Sequence, residues 1–312
     1  MTQRHVLITG ATGGLGCKTA LELARRGFDV LIGGRRPAAV EAVCQEIRRT
    51  TGRQAQPFLA DLADLGAVQG AVDTLKTDKG LRLHGLVANA GMNSLKQRNS
   101  KDGYELIFAV NVLAHQLLFC ELLDRMAEGA RIVVLSSGVH DPENKLARRF
   151  GIPSPDWIGT RALALPEEAP KAYRTLDGRQ RYSNSKLANI LQAQGIQRVL
   201  RTQGQQVDVF AIDPGLMVDT ELGRELPTPL KWVLRGVGQL LTPFVDNMRS
   251  SSVSARHVAD LVTDPQWTGQ GFAYFDGANM QAPSPDAQRD DLVDELWTET
   301  ARLLKLPNEA SG

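Results

Sequence analysis

Short apolar runs alternate along the chain with longer amphipathic segments. Runs such as Ile132-Val133-Val134 are typical of strands buried on both faces, and strand–helix alternation indicates right-handed βαβ crossovers. The predicted strands are His5–Thr9, Val30–Gly33, Gln56–Leu59, Leu86–Asn89, Arg131–Ser136, Val207–Ile212 and Gly271–Phe275. The predicted helices include Leu15–Arg26, Ala38–Arg49, Gly66–Lys76, Tyr104–Met126 and Ser183–Arg201. We therefore expect a single α/β domain, residues 1–312, with a doubly wound parallel sheet of seven strands.

Two long stretches interrupt this alternation. Residues 138–180 contain five prolines, residues 222–256 contain three, and neither stretch fits a strand. Both follow predicted strands whose ends lie on the same edge of the sheet, where α/β folds bind ligands. We expect two irregular insertions that form a substrate pocket and its lid.

The second stretch carries an apolar stripe at helical spacing. Its members are Leu230, Val233, Leu234, Val237, Leu240 and Leu241. Three interpretations stay open: packing against the domain, a lid over the substrate, and peripheral contact with a membrane. The stripe is short and lacks a strongly basic face, so any membrane contact is expected to be weak.

Composition and charge exclude several classes of protein. The 312 residues include 36 Lys and Arg against 35 Asp and Glu, so no basic field attracts nucleic acid. Aromatic residues make up only 5% of the chain and offer few platforms for stacking bases. No apolar run reaches the roughly 18 residues that a membrane-spanning helix requires.

The N-terminus and the cysteines bear on the cellular compartment. Met1 leads almost directly into the strand-like His5–Thr9, so we expect no cleavable signal peptide. Cys17, Cys44 and Cys120 lie in helix-like segments without metal-ligand spacing. We therefore expect reduced thiols, no metal site and a cytoplasmic location.

A glycine-rich turn follows the first predicted strand and opens the first predicted helix. It reads Thr9-Gly10-Ala11-Thr12-Gly13-Gly14-Leu15-Gly16. Glycines at a first βα turn let the backbone approach a pyrophosphate, whose charge then lies at the helix N-terminus. The sequence thus predicts a Rossmann-type dinucleotide site contacted by Gly10, Thr12, Gly13, Gly14, Leu15 and Gly16.

Six further motifs follow this turn, in chain order Asp61-Leu62, Asn89-Ala90-Gly91, Asn111, Ser137, Tyr182 with Lys186, and Pro214-Gly215 with Thr220. Together with the turn, they resemble the short-chain dehydrogenase/reductase family. The resemblance implies an oxidoreductase with a nicotinamide cofactor. The cofactor contacts that it implies beyond the turn are Asp61, Leu62, Asn89, Ala90, Gly91, Tyr182, Lys186, Pro214, Gly215 and Thr220.

The resemblance also implies a catalytic group of Asn111, Ser137, Tyr182 and Lys186. Tyr182 and Lys186 are four residues apart and share one helix face. A lysine ammonium, together with the positive oxidised nicotinamide, lowers the pKa of a tyrosine toward neutrality. Tyr182 then exchanges a proton with the substrate oxygen, which Ser137 holds by a hydrogen bond. In family terms, Asn111 binds a water that links Lys186 to bulk solvent.

The end of the second predicted strand bears on the choice of cofactor. NAD is usually recognised there by an acid that accepts a hydrogen bond from the ribose 2′-hydroxyl. Here the strand ends Gly33-Gly34-Arg35-Arg36, with glycine in place of the acid. Guanidinium groups bind a 2′-phosphate by charge-assisted hydrogen bonds, so Arg35 and Arg36 predict NADP(H) rather than NAD.

The spacing of the catalytic residues indicates a subgroup. Ser137 and Tyr182 are 45 positions apart, and this long link resembles the retinol dehydrogenase-like enzymes and the light-dependent protochlorophyllide reductases. We expect an NADP(H)-dependent enzyme that interconverts a bulky apolar alcohol and its carbonyl. One alternative is double-bond reduction on a tetrapyrrole, although Leu216 stands where that group has cysteine.

A second alternative is a protein that senses NADP(H) without catalysis, because a fold alone does not determine function. Such sensors typically lose the tyrosine or the lysine, and both are present here. The partners that we expect are a small apolar substrate and further copies of the chain in a homo-oligomer, with no nucleic acid.

Overall fold

A computed structural model of the protein describes residues 4–171, 174–216 and 249–306. Within these ranges eight strands form one sheet in the order β3-β2-β1-β4-β5-β6-β7-β8. All neighbouring strands are parallel except β7 and β8. The strands are β1 (His5–Ile8), β2 (Asp29–Gly34), β3 (Ala55–Leu59), β4 (Leu83–Ala88), β5 (Met126–Leu135), β6 (Asp208–Asp213), β7 (Phe272–Asp276) and β8 (Asn279–Gln281). The doubly wound α/β fold is confirmed.

The sheet has one strand more than the seven that the sequence predicts. β8 returns antiparallel to β7, with Tyr274 paired to Gln281 and Asp276 paired to Asn279. Its three residues are all exposed, so the strand lacks the apolar pattern by which the other seven are recognised.

Helices cover both faces of the sheet. They are α1 (Gly14–Arg25), α2 (Pro37–Thr51), α3 (Leu65–Lys76), α4 (Leu106–Arg125), α5 (Lys145–Arg149), α6 (Thr160–Ala164), α7 (Gly178–Thr202), α8 (Ser251–Thr263) and α9 (Asp290–Leu304). On one face α1, α2 and α8 pack with Val6 and Ile8, and on the other α3, α4, α7 and α9 pack with Leu7. Successive strand residues point to opposite faces, so a central strand must be apolar throughout.

The helix α4 is wider over part of its length. Residues Ala109–Leu113 form a π-helical turn, in which the hydrogen bonds span one residue more than in an α-helix. Among the described helices, α4 is the one long and apolar enough to cross a membrane by length and composition, with a mean hydropathy of 1.9. Its apolar window is 78% buried inside the fold, as in the core helix of a globular domain.

The two predicted insertions differ in how far the structure describes them. Residues 138–171 are largely irregular, with 3₁₀ turns at Gly138–His140 and Pro166–Glu168 and the short helices α5 and α6. The last residues of the first stretch, 178–180, already belong to α7. The predicted C-terminal bound of the second stretch is wrong, because residues 251–256 form the start of α8. The Ser250 hydroxyl caps this helix by accepting a hydrogen bond from the Val253 N–H. The apolar stripe lies outside the described residues.

Candidate active site

The glycine turn joins β1 to α1 and leaves a helix N-terminus open. Gly10 and Gly14 have φ of 64° and 54°, the left-handed region that glycine adopts without strain. Gly13 occupies the N-cap position and supplies no side chain to the first N–H groups of α1. These donors therefore remain available to an anion such as a pyrophosphate.

The side chain of Asn89, at the end of β4, holds this turn. Its Nδ2 donates to the Thr9 carbonyl at 2.7 Å and the Gly10 carbonyl at 3.3 Å. The Ala90 N–H donates to the Thr9 Oγ1 at 2.9 Å. A Cβ on Gly16 would lie 2.4 Å from Asn89 Nδ2, so the missing side chain at 16 makes room for the amide. Asn89 thus holds the glycine turn in place by hydrogen bonds to its backbone.

The end of β2 has no room for an acidic side chain. A Cβ on Gly34 would lie 2.6 Å from Thr12 Cγ2 and 2.8 Å from Val40 Cγ2. Arg35 and Arg36 follow with exposed side chains, and neither guanidinium bonds to another described residue. The two guanidinium groups therefore face solvent beside the glycine turn.

The predicted adenine-side residues follow β3. The Asp61 Oδ1 accepts a hydrogen bond from the Ala63 N–H at 3.1 Å, and Leu62 packs partly against the core. Both residues lie past the carboxyl end of β3, the strand beside β2 in the sheet. They therefore lie at the same edge of the sheet as Arg35.

Lys186 of α7 points into the protein interior. Its Nζ donates to the Leu135 carbonyl of β5 at 2.9 Å and to Asn189 Oδ1 at 3.1 Å. The same Nζ lies 5.5 Å from the centre of the Tyr182 ring, one helical turn earlier. Ser137, two residues beyond β5, lies near enough to the Tyr182 hydroxyl to lower its pKa. The structure therefore brings the three predicted catalytic side chains of β5 and α7 together.

Asn111 lies in the π-helical turn of α4 and contacts the same group. Its Oδ1 accepts from the Met92 N–H at 2.8 Å, and its Nδ2 donates to the Met92 carbonyl at 3.1 Å. The Nδ2 also donates to Ser185 Oγ at 3.0 Å. The side chain thus ties the segment after Gly91 to α7. A Cβ on Gly91 would lie 3.5 Å from Lys186 Nζ, so this segment passes directly beside the lysine.

Burial controls the protonation of the tyrosine and the lysine. It raises the pKa of Tyr182 well above its ordinary value, the nearby Asp213 carboxylate raises it further, and the neighbouring Ser137 hydroxyl opposes both. Burial lowers the pKa of Lys186 to about 8, against the opposing effect of Asp213. Without cofactor, Tyr182 is therefore protonated at neutral pH, as a proton donor must be.

Sequence reasoning missed Asp213, which is only 4% exposed at the end of β6. Its Oδ1 accepts from the Gly215 N–H at 2.9 Å, and Ser254 Oγ donates to the Pro214 carbonyl at 2.6 Å. These bonds fix the predicted nicotinamide-side turn next to Tyr182. The sequence signal that could have identified Asp213 is an acidic residue directly before Pro214-Gly215. Thr220 lies outside the described residues.

Two buried histidines form hydrogen bonds to backbone carbonyl groups of the site. His115 Nδ1 donates to the Asn111 carbonyl at 3.1 Å, which leaves Nε2 to accept from the Thr9 hydroxyl at 2.9 Å. Burial lowers the pKa of His115 to about 4, so it is neutral at physiological pH. His140 Nδ1 likewise donates to the Ser137 carbonyl at 2.8 Å. Both rings hold backbone carbonyls of predicted catalytic residues.

Comparisons with known proteins agree with this geometry. A family model described as short chain dehydrogenase matches residues 4–146. Retinol dehydrogenase 13 of Homo sapiens is 30% identical over 97% of this chain and 85% of its own. Polyprenol dehydrogenase of Mus musculus is 32% identical over 96% of this chain and 83% of its own.

A solved structure also matches most of the chain. The crystal structure of a short chain dehydrogenase from Burkholderia cenocepacia J2315 in complex with NADP aligns with a TM-score of 0.63 and 25% identity, covering 88% of this chain and 96% of that one. The chain belongs to the short-chain dehydrogenase/reductase family, a family of oxidoreductases, and its sequence has a retinol dehydrogenase-like layout. The glycine turn and the open N-terminus of α1 fit a nicotinamide dinucleotide.

Gly16 and Gly13 offer a matched test of the turn. A Cβ at 16 meets Asn89 Nδ2 at 2.4 Å and the Gly10 carbonyl at 2.6 Å, whereas a Cβ at 13 meets no atom within 4 Å. We expect Gly16→Ala to lower the free energy of unfolding by about 1–3 kcal/mol, because the Asn89 bonds must yield. Gly13→Ala should lower it less, by at most about 1 kcal/mol, because alanine is a poorer N-cap residue than glycine. Denaturant unfolding of both variants measures this difference, and equal stabilities would contradict the packing described here.

Proposed function

We propose that the protein is an NADP(H)-dependent oxidoreductase that interconverts a bulky apolar alcohol and its carbonyl compound. The observation that carries the proposal is the contact of Ser137, Tyr182 and Lys186 at one edge of the sheet. When bound, the nicotinamide supplies or accepts the hydride. The chain supplies the placement and the proton.

Each catalytic side chain has a role that its geometry supports. The Tyr182 hydroxyl, protonated in the free protein, donates its proton to the substrate oxygen during reduction. Ser137, beside the same hydroxyl, is placed to hold that oxygen against it. The Lys186 ammonium, 5.5 Å from the Tyr182 ring, stabilises the tyrosinate left behind. In alcohol oxidation the proton returns to Tyr182 by the same contacts.

The choice of NADP(H) rests on the end of β2. Gly34 leaves no space for the acid that would recognise a ribose 2′-hydroxyl, and Arg35 and Arg36 offer exposed guanidinium groups there. A 2′-phosphate is the anion that such groups bind by charge-assisted hydrogen bonds. The solved relative in complex with NADP supports the same choice.

The substrate class rests on the relatives and on the insertion that follows β5. The names of the two curated relatives specify retinol and polyprenol, both long apolar alcohols. The irregular residues 138–171 begin directly after Ser137, so they lie at the substrate side of the catalytic group. A cytoplasmic location is also part of the proposal, because three cysteines without metal-ligand spacing are typical of reduced thiols in a cytoplasm. The homo-oligomer and weak membrane contact stay predictions.

Tyr182→Phe tests the catalytic proposal. We expect turnover of retinaldehyde with NADPH to fall by about 100- to 10,000-fold, because the acid–base hydroxyl is lost, while NADPH still binds. Tyr104→Phe is the matched control, since it removes a hydroxyl that bonds to the Leu303 carbonyl at 2.8 Å, outside the site. The tetrapyrrole alternative is tested with protochlorophyllide as the substrate, by comparing its turnover in darkness and in light. Wild-type turnover in Tyr182→Phe would refute the catalytic role of its hydroxyl, whereas NADPH binding without turnover in the unaltered protein would favour a sensor.

The double variant Arg35→Gln/Arg36→Gln tests the cofactor. Each hydrogen bond to a charged group contributes about 1.5–3 kcal/mol, so kcat/KM for NADPH should fall at least about tenfold while kcat/KM for NADH changes little. Arg49→Gln is the control, because Arg49 lies at the other end of α2 and pairs with Glu46. Equal losses with NADH and NADPH would mean that the two arginines support the fold and not the phosphate.

A further inference from the structure

The carboxamide of Asn189 lies between two members of the catalytic group. Its Oδ1 accepts a hydrogen bond from Lys186 Nζ at 3.1 Å, and its Nδ2 donates to the Asn111 backbone carbonyl at 2.8 Å. Asn189 is 2% exposed, Lys186 5% and Asn111 1%, so bulk water does not compete for these bonds. The side chain thus links the ammonium of α7 to the π-helical turn of α4.

We propose that Asn189 is a positioning residue that fixes the Lys186 ammonium relative to Tyr182 by joining it to the Asn111 carbonyl. The proposal rests on the function proposed above and adds a residue to it. The side-chain hydrogen bonds of Asn189 go to Lys186 and Asn111 and not to the Tyr182 or Ser137 hydroxyl, so it acts through the lysine. Removing it should change the protonation of Lys186 and leave the glycine turn intact.

The chemistry of the two neighbours requires an amide at this position. An ammonium group can only donate and a carbonyl oxygen can only accept, so the bridging side chain must accept at one end and donate at the other. A rotated amide would face Nζ with its NH₂ group and the carbonyl with its oxygen, and would lose both bonds. The neighbours therefore determine the orientation of the Asn189 amide. An aspartate could accept from Lys186 but could not donate to Asn111.

A second amide on the same helix provides a comparison. Gln192 Nε2 donates to the Val112 carbonyl at 3.1 Å and to Gln116 Oε1 at 2.9 Å. Gln192 is 1% exposed and joins α7 to the same π-helical turn, as Asn189 does. The bonds of Gln192 involve α4 alone and not Lys186. The two residues therefore separate a helix–helix link from a contact with the ammonium.

The protonation of Lys186 is the direct readout, measured on the full chain without cofactor. The titratable groups that face the lysine are Tyr182 on its own helix, Asp213 at the end of β6 and His115 on α4. Lysine labelled with ¹³C at Cε reports the titration by NMR, and the Lys186→Arg variant assigns the signal. The wild-type midpoint is expected near the pKa of about 8.

The variants should shift this midpoint in opposite directions. Asn189→Ala removes an acceptor that stabilises the ammonium, so the midpoint should fall by about half a unit to one unit. Asn189→Asp places an opposite charge beside it, so the midpoint should rise by about one unit. Gln192→Ala should leave the midpoint unchanged, although it removes a comparable link between α7 and α4.

The outcomes separate this proposal from the function on which it rests. Wild-type and Asn189→Ala midpoints that agree would overturn the positioning role, as would an equal shift in Gln192→Ala. If Asn189→Ala does not fold, Asn189→Asp decides, and an unchanged midpoint there overturns the role. Shifts of the expected sign in a protein that turns over no carbonyl substrate would support the positioning of Lys186 while refuting the proposed activity.

Discussion

The buried ammonium group of Lys186 is the constraint on which the site depends. A charge removed from water is strongly destabilised unless hydrogen-bond acceptors surround it. The acceptors here are the Leu135 carbonyl at the end of β5 and the Asn189 amide on α7. The lysine can stay inside only while α7 packs against the end of β5. The same packing places Tyr182, one turn earlier, next to Ser137.

The order of strands brings the remaining parts to the same edge of the sheet. β1 and β4 are neighbours, so Asn89 at the end of β4 reaches the glycine turn that follows β1. β5 and β6 are neighbours as well, which places Asp213 beside the Ser137 turn. A parallel sheet therefore gathers the glycine turn and the predicted catalytic group where its strands end. Buried polar bonds such as those of His115 then hold the loops in place.

The sequence was sufficient for the seven parallel strands, because each is a short apolar run between helical segments. The sequence did not predict the antiparallel β8 or the π-helical turn of α4. The three residues of β8 are exposed and carry no pattern, and widening one turn of a mostly buried helix leaves the spacing of its apolar residues almost unchanged. The predicted bounds of some strands also differ from the observed ones, since β5 begins at Met126, five residues before the predicted Arg131.

The residues of the candidate site were predicted from the order of the motifs, whereas the residues that hold them in place were not predicted. The contacts of Asn189 with Asn111 and of Asp213 with Gly138 join segments that are 78 and 75 positions apart. Such pairs leave no local pattern, because a buried polar side chain finds its partner only after the helices pack on the sheet. A buried amide and a buried acid are therefore visible only in the structure.

The most direct test of the account is a crystal structure of the protein with bound NADPH. The account predicts the diphosphate at the N-terminus of α1, the 2′-phosphate within hydrogen-bond distance of Arg35 or Arg36, and the nicotinamide ring beside Tyr182 and Lys186. A dinucleotide bound away from the glycine turn, or a Tyr182 hydroxyl directed away from the nicotinamide ring, would contradict it.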